Sequence, residues 1–349
     1  MYPRLSINIV TWNSMDFLPD LLRSIFQQTY RDFSVLVIDN ASTDGVEEYL
    51  RREYPQVTFL RNMRNRGFAY AHNQGIRYAI EHWSENDYSD RFVLVTNPDV
   101  ILAPDYLARV MALVTEEPTV GSYGGKLLRA FGENLLDEAL KETVRSDHLD
   151  STGLHASRSR IFTDRGAGEM DTKQYDHQRK VFGISGALAL YRASALKDVG
   201  LDDEYFDNDF FAYKEDVDLA WRLQTAGWQA RYVPEAKAYH YRGMYGAEKA
   251  GIWQKIANRR KKSVSRNYYS TRNQLAVLIK NQDLVGYFLA GPWIAAHEAG
   301  RFVYVLFLEP KSLKAYGEIF FSWPRFWAKR RRIFKKRRIP GREIRHWFV

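Results

Sequence analysis

The sequence predicts an α/β fold, a parallel doubly wound sheet followed by a helical, strongly basic C-terminal region. Three observations lead there. Short runs rich in Val, Ile and Phe alternate with helix-compatible stretches through the first third of the chain. Polar, turn-forming residues follow the ends of those runs. The charge balance then reverses: residues 1–240 carry 27 Lys/Arg against 36 Asp/Glu, a net of −9, and residues 241–349 carry 24 against 6, a net of +18. Strands interleaved with helices argue for parallel pairing, since parallel neighbours need a crossover connection.

The first runs, LSINIV (5–10), FSVLVID (33–39), VTFL (57–60) and RFVLVTN (91–97), have the β-branched and aromatic content of strands. Residues 16–28, 45–54 and 67–82 between them show helical spacing. Sheets of this kind bind ligands in the crevice at the carboxyl ends of their strands. That rule directs attention to Thr11-Trp12-Asn13, to Asp39-Asn40-Ala41-Ser42 and to Thr96-Asn97-Pro98-Asp99. Each alone is an ordinary turn sequence; three at one sheet edge point to a site.

Residues 129–180 are polar and irregular, which suits either a disordered insertion or a lid over the crevice. Order returns with VFGISGALALYR (181–192), read as a strand whose glycines mark close backbone approach. The stretch FFAYKEDVDLAWR (210–222) opens a helix ending near Gly227. Its acids favour the positive helix N-terminus, and Asp218 and Arg222 stand one turn apart, as an ion pair does. WQARYVPEAKAYH (228–240) reads as a strand finishing at His240.

Residues 255–281 read as a basic amphipathic helix. Residues 284–310 are apolar but interrupted by Pro292, His297, Glu298 and Arg301. A spanning helix needs about 20 largely uncharged residues, so this segment suits a helix lying in a membrane interface. The segment 329–345, KRRRIFKKRRIPGREIR, holds ten Lys/Arg. It suits an anionic leaflet, or else a solvated nucleic-acid-binding tail.

A chain of 349 residues, 45% apolar and 15% aromatic, has ample length for a core. The division expected is a catalytic domain over 1–243 and a membrane-associating region over 244–349. With no cysteine, disulfides, thiolate catalysis and zinc–sulfur sites are excluded. The start, MYPRLSINIV, lacks a signal peptide's basic head and apolar run and reads as a first strand.

INIVTWNS, VLVIDNASTDG, RNMRNRGFAYAHNQG, VTNPDV, GISGALALYR and YKEDVDLAWRLQTAGW occur in the order seen in glycosyltransferase family 2. The match most resembles its rhamnosyltransferase-like branch, which extends lipid-linked sugars in bacterial surface-polysaccharide assembly. It spans residues 4–243, and RNYYSTRNQLAVLIKN (266–281) is also similar. The resemblance implies a GT-A fold, an inverting reaction and a divalent cation, Mg2+ or Mn2+, holding the donor's diphosphate. A hard cation bound by one or two carboxylates and phosphate oxygens is the charge sink such a leaving group needs.

Residue by residue, Asp99 resembles the last acid of the family's metal motif. The first acid is replaced by Asn97, left on the donor side rather than as a direct ligand. His240 resembles the histidine that completes metal binding, although a histidine at a strand end also suits a structural role. Asp39 resembles the acid that bonds the base or ribose, with Thr11 and Asn13 framing the base and Arg66 near the donor. Asn73 fits a packing or capping role. Asp216 matches the general base, since an acceptor hydroxyl is a poor nucleophile until a carboxylate takes its proton. Glu215 orients the acceptor or supports its neighbour.

The implied function is metal-dependent, inverting transfer of a sugar to a polyprenyl-diphosphate-linked GlcNAc-type acceptor, in O-antigen or cell-wall polysaccharide assembly. The branch points to dTDP-L-rhamnose, with UDP- and GDP-sugars open. The setting is peripheral, at the cytoplasmic face of a bacterial inner membrane. A sugar-1-phosphate nucleotidyltransferase needs a glycine-rich basic loop after the first strand, and TWNSMDFLP has neither feature. A nucleic-acid-binding protein acting through its tail is opposed by the acidic body and the absence of a recognised motif. A degenerate scaffold is opposed by the joint presence of Asp39, Asp99 and Asp216.

Overall fold

The computed structural model describes residues 2–83, 88–132, 143–241, 259 and 263–349. The chain opens as β1 (Leu5–Thr11), α1 (Leu18–Phe26), β2 (Phe33–Asp39), α2 (Val46–Glu53), β3 (Thr58–Arg61), α3 (Gly67–Trp83) and β4 (Phe92–Thr96). These match the predicted strands and helices to within about two residues. β5 (Val100–Leu102), α4 (Tyr106–Leu113) and β6 (Val120–Gly132) follow. The segment expected to be irregular carries β7 (Thr143–Ser151), β8 (Leu154–Ala156) and β9 (Phe162–Asp164). Leu149 and Asp150 within it are fully buried, so its described part is a built wall.

β10 (Lys180–Val181), β11 (Leu188–Arg192), α5 (Ala193–Val199), α6 (Glu215–Thr225) and β12 (Gln229–Tyr241) complete this half. The single strand expected over 181–192 is thus two, separated by a glycine-bearing segment pressed on α6. A Cβ on Gly183 would lie 2.3 Å from Ala220 Cβ, and one on Gly186 3.2 Å from Asp216 Cβ. The glycines do mark close approach, and that contact takes the backbone out of the sheet. The C-terminal third forms α7 (Val264–Asn281), α8 (Leu284–Leu308), α9 (Lys314–Lys335) and α10 (Gly341–Arg345). Of the predicted helix 255–281, residues 255–258 and 260–262 lie outside the described residues.

The sheet order is β10-β12-β6-β11-β4-β1-β2-β3, with β5 on β12 and β7 on β6. β4, β1, β2 and β3 run parallel, as expected. β11 is antiparallel to both β4 and β6, so the sheet is mixed rather than wholly parallel. The long excursion between β6 and β11 returns the chain at the edge where β4 ends, with Leu188 opposite Thr96. Leu5, Ile7 and Ile9 of β1 point into one core with Val35, Val37 and Leu94. On the other face Gly75 lets α3 lie against β1, where a Cβ would meet Asn8 Nδ2 at 2.6 Å.

A third cluster crosses residue 243: Phe210, Val217 and Trp221 pack with Val277, Phe326 and Phe348. Beneath it Lys280 Nζ, fully buried, lies 2.5 Å from Asp207 and 2.7 Å from Asp218. The basic segment 329–345 joins this network. Lys329 Nζ sits 2.5 Å from Asp207 and 2.9 Å from Asp209. Arg332 pairs with Asp202, Arg338 with Asp198 and Arg345 with Asp283. Lys336 and Arg330 donate to backbone carbonyls. The expected free basic tail is therefore largely bound to the acidic stretch 198–209 and its neighbours. Among the described residues no helix is long and apolar enough to cross a membrane.

Candidate active site

The loops after β1 and β2 are sewn together. Thr11 Oγ1 donates to Asp39 Oδ1 at 2.9 Å, across a register pair of the sheet. Ser42 N–H donates to Asp39 Oδ2 at 2.9 Å, and the Ser42 hydroxyl to Oδ1. Asn13, in the left-handed region at φ 49°, donates its N–H to Ser42 Oγ at 2.9 Å and accepts from Thr43 N–H at 2.9 Å. Thr11 and Asp39 are fully enclosed, while Trp12 and Asn13 are exposed. The Asp39 carboxylate thus accepts from three donors of these loops and fixes the two loops against each other.

Arg66 follows β3, its guanidinium 3.9 Å above the Tyr70 ring and its N–H 3.3 Å from Asn40 Oδ1. That bond sets it beside the β2 loop. Asn73 donates to Phe206 O at 2.6 Å and accepts from Phe206 N–H at 2.9 Å, so it ties α3 to the chain before α6 and is structural.

At the end of β4, Asn97 N–H donates to Ala187 O at 2.9 Å, beside Gly186. The Asp99 carbonyl accepts from Tyr241 N–H at 2.9 Å, which brings Asp99 next to His240 on β12. Asp99 Oδ1 lies 3.2 Å from His240 Nε2, and His240 Nδ1 lies 2.8 Å from Asp150 Oδ2. Burial opposes a charge on this imidazole, but Asp99 and Asp150 overcome it and raise its pKa to about 10. Among the described residues no three His, Asp or Glu side chains are arranged to hold a metal. Asp99 and His240 can therefore supply two donors, with Asp150 orienting the ring as a partner carboxylate commonly does. The partly exposed Asp99 carboxylate suits Mg2+ or Mn2+ completed by phosphate oxygens and water, and His240 adds a donor only in its neutral form.

Asp216 stands at the start of α6. Its Oδ2 accepts from Gly186 N–H at 3.0 Å and its Oδ1 from Val217 N–H at 2.8 Å. Burial raises its pKa; the two backbone bonds pull the other way, and Asp164 adds to the rise. Glu215 is buried with Oε2 unbonded, and burial followed by Asp216 pushes its pKa well above the carboxylate range. Lys214, at φ 69°, precedes them. Burial lowers its ammonium to about pKa 8, with Asp216, Glu298 and Glu215 opposing and Arg301 adding to the fall. Arg222 Nε lies 2.9 Å from Asp218 Oδ2 in full burial, the predicted ion pair.

The structure thus gathers Asn97, Asp99, His240 and Asp216 around the ends of β4, β12 and α6, and Thr11, Asn13, Asp39 and Arg66 around the adjoining ends of β1 to β3. Sequence reasoning missed Asp150, Asp164 and Lys214. The first two sit in the segment read as irregular, where no local pattern marks a buried acid. Lys214 adjoins the acidic run and carried a signal only through that adjacency. An open cavity of about 340 Å3, lined by His155, Asp164, Arg165 and Tyr175 among others, shares Asp164 with the surroundings of Asp216.

The family model described as Glycosyl transferase family 2 matches residues 6–200. The N-acetylglucosaminyl-diphospho-decaprenol L-rhamnosyltransferase of Mycobacterium tuberculosis is 32% identical over 243 residues, covering 68% of this chain and 76% of that protein. Among solved structures, GalNAc-T7 with UDP, GalNAc and Mn2+ aligns with a TM-score of 0.57 at 15% identity, over 80% of this chain and 48% of that one. A Pyrobaculum calidifontis mannosyltransferase in complex with GDP-Man and Mn2+ aligns with a TM-score of 0.51 at 17% identity, over 96% and 86%. These two likenesses concern the fold.

Proposed function

Since this chain belongs to glycosyl transferase family 2 and is a glycosyltransferase, we propose that it transfers L-rhamnose from dTDP-L-rhamnose, with inversion, to a polyprenyl-diphosphate-linked GlcNAc acceptor. The observation that carries the chemistry is Asp216, a partly buried carboxylate bonded by the N–H of Gly186, whose neighbour Ala187 accepts from Asn97, two residues before Asp99. The choice of sugar and acceptor follows the likeness to the mycobacterial rhamnosyltransferase. Residues 1–243 are the catalytic domain and 244–349 the membrane-associating region. The enzyme works peripherally, at the cytoplasmic face of a bacterial inner membrane, in surface-polysaccharide assembly.

Asp216 takes the proton of the acceptor hydroxyl, whose oxygen attacks the anomeric carbon as the bond to the diphosphate breaks. The N–H groups of Gly186 and Val217 hold the carboxylate for this and leave its remaining lone pairs free. The raised pKa makes it a better base than a solvated aspartate. Glu215, enclosed with Oε2 unbonded, supports Asp216 rather than meeting the acceptor. Thr11 and Asp39 form the floor of the nucleotide pocket, with Asn13 and Arg66 as its contact surface and Asn97 on the donor side. Asp99 and His240 would hold Mg2+ or Mn2+, which when bound would take up charge on the departing diphosphate.

The test is transfer from a panel of dTDP-, UDP- and GDP-sugars to a GlcNAc-diphospho-lipid, with Mg2+ and with chelator. Metal-dependent product from dTDP-L-rhamnose is expected. In Asp216→Asn the rate should fall by about 10²–10⁴-fold while metal-dependent nucleotide binding persists. The acid limb of the wild-type rate should lie above the ordinary carboxylate value of 3.8, because the base must be deprotonated and its pKa is raised. Product from a UDP- or GDP-sugar alone would replace the donor, and an unimpaired Asp216→Asn would remove the base assignment.

A further inference from the structure

Helix α8 is built inside out. Its inward stripe, Gly286, Ala290, Ile294, Glu298, Arg301 and Val305, recurs every three to four residues and holds both of the helix's Asp/Glu/Lys/Arg residues. The Glu298 and Arg301 side chains are 17% and 9% exposed and pair with each other. The outward stripe holds the large apolar residues: Val285, Phe288, Leu289, Trp293, Val303 and Phe307, with Phe288 80% and Phe307 73% exposed. A surface helix facing water carries the opposite pattern. Fourteen of the twenty large apolar side chains exposed among the described residues lie between Leu284 and Trp323. A single protein rarely leaves so concentrated an apolar patch to water.

The charges around the patch are sorted by sign. Glu298 is paired with Arg301, Glu309 with Arg259 and Glu318 with Arg272. Lys311, Lys314 and Arg331 are exposed on or next to α9, the helix that carries the exposed Phe320, Phe321 and Trp323. The face is therefore apolar and aromatic with a positive fringe. Both ends of α8 are fastened to the body: Asp283 at its N-cap pairs with Arg345 at 2.8 Å, and Phe302 meets the Tyr316 ring edge-on at 5.1 Å. Pro292 lies within the helix. The inward Glu298 and Arg301 are charged neighbours of Lys214, two residues before Asp216.

We propose that the outer face of α8, with Phe320, Phe321 and Trp323 of α9, is the membrane-docking surface: it lies in the plane of one leaflet and holds the enzyme mainly by apolar insertion. The inference deepens the reading of a lipid-linked acceptor and rests on it. The occupant is a bilayer because the fringe is cationic, because aromatic residues beside Lys/Arg suit the headgroup boundary, and because the helix backs onto the catalytic acids. A diphospho-lipid in that leaflet then presents its sugar to Asp216 without leaving the membrane. Attachment by the basic segment 329–345 would be electrostatic and fade with salt; attachment by α8 should largely survive it.

The experiment is co-sedimentation of the full chain with vesicles of phosphatidylcholine, alone or mixed with phosphatidylglycerol, at low and high salt. Phe288→Glu/Phe307→Glu is compared with Arg332→Gln/Arg338→Gln, and thermal melts check that both fold. Expected are binding that persists at high salt, a fall of at least about tenfold in the Phe double variant, and little change in the Arg pair. Binding abolished by salt, or equal in wild type and the Phe variant, overturns the proposal. So does a concentration-dependent dimer without vesicles that the Phe variant abolishes, since the face would then cover a second copy. Activity on a short, water-soluble GlcNAc-diphosphate acceptor separates the two claims. Transfer without vesicle binding sinks the docking surface and leaves the reaction standing; vesicle binding without transfer does the reverse.

Discussion

The basic segment 329–345 and helix α8 belong to the same C-terminal third and reverse each other's expected roles. By composition the first, with ten Lys/Arg, is the one made to meet a polyanion. In the fold Lys329 is largely enclosed among Asp207, Asp209 and Glu204, and its neighbours hold Asp198, Asp202 and backbone carbonyls. The second has the composition of a core helix, yet its largest side chains face out. The +18 of residues 241–349 is thus in good part the complement of an acidic body. A count of charge reports what a segment could attract, and only its neighbours decide whether it is already satisfied.

The largest test of this contrast is a chain ending at residue 328. It loses Lys329 and the packing of Phe348 on Trp221. The buried Asp207 keeps only Lys280, and Ile344 and Phe348 leave the core at about 1.5–3 kcal/mol each, so the truncated protein should melt far lower or fail to fold. A free membrane-binding tail would leave the melting temperature unchanged. Next is Lys280→Ala, which takes from the buried Asp207 and Asp218 the cation they share, leaving them Lys329 and Arg222, and should cost about 1–3 kcal/mol by urea unfolding. A loss below about 1 kcal/mol, the range of an exposed pair, would mean the network is not what holds α7 to α6.

Acid should weaken the same junction. Burial alone would raise the Asp207 carboxyl, but Lys280 and Lys329 override it and hold it well below its usual 3.8; Asp218 is lowered likewise, with Lys280 and Arg222 outweighing burial. A depressed carboxylate contributes stability above its unfolded pKa and loses it as pH falls through the folded one. Stability should therefore hold from neutral pH down to about 4 and fall more steeply below it in wild type than in Lys329→Met, as urea midpoints across that range would read. The smallest effect belongs to Arg332→Gln and Arg338→Gln. Their pairs are exposed, and each should change stability by under about 1 kcal/mol.

Much of the fold was legible because it is written locally. Strands β1 to β4 announce themselves by β-branched runs, and the helix from Glu215 by its first-turn acids, capped by Gly227 at φ 86°. The Asp218–Arg222 pair follows from helical spacing alone, and the family motifs singled out Asp99 and His240, which the fold sets 3.2 Å apart. The 143–180 wall was not legible, since its strands are polar and gain burial only from distant partners, β7 against β6 and Leu154 and Phe162 of β8 and β9 against Trp221 and Phe348. Nor was the enclosure of Asp39, which depends on Thr11 and Ser42 meeting across two loops.

By itself, then, the sequence determined the α/β class, the family and the residues that reach the sheet edge, because each rests on periodicity or on motifs a few residues long. Only the tertiary structure decided which charges are satisfied and which apolar side chains remain exposed. Arg332 meets Asp202 across 130 residues and Lys329 meets Asp207 across 122, separations at which no local pattern records a partner. Whether a lysine faces a carboxylate or a phenylalanine faces solvent is set by what the rest of the chain brings against it.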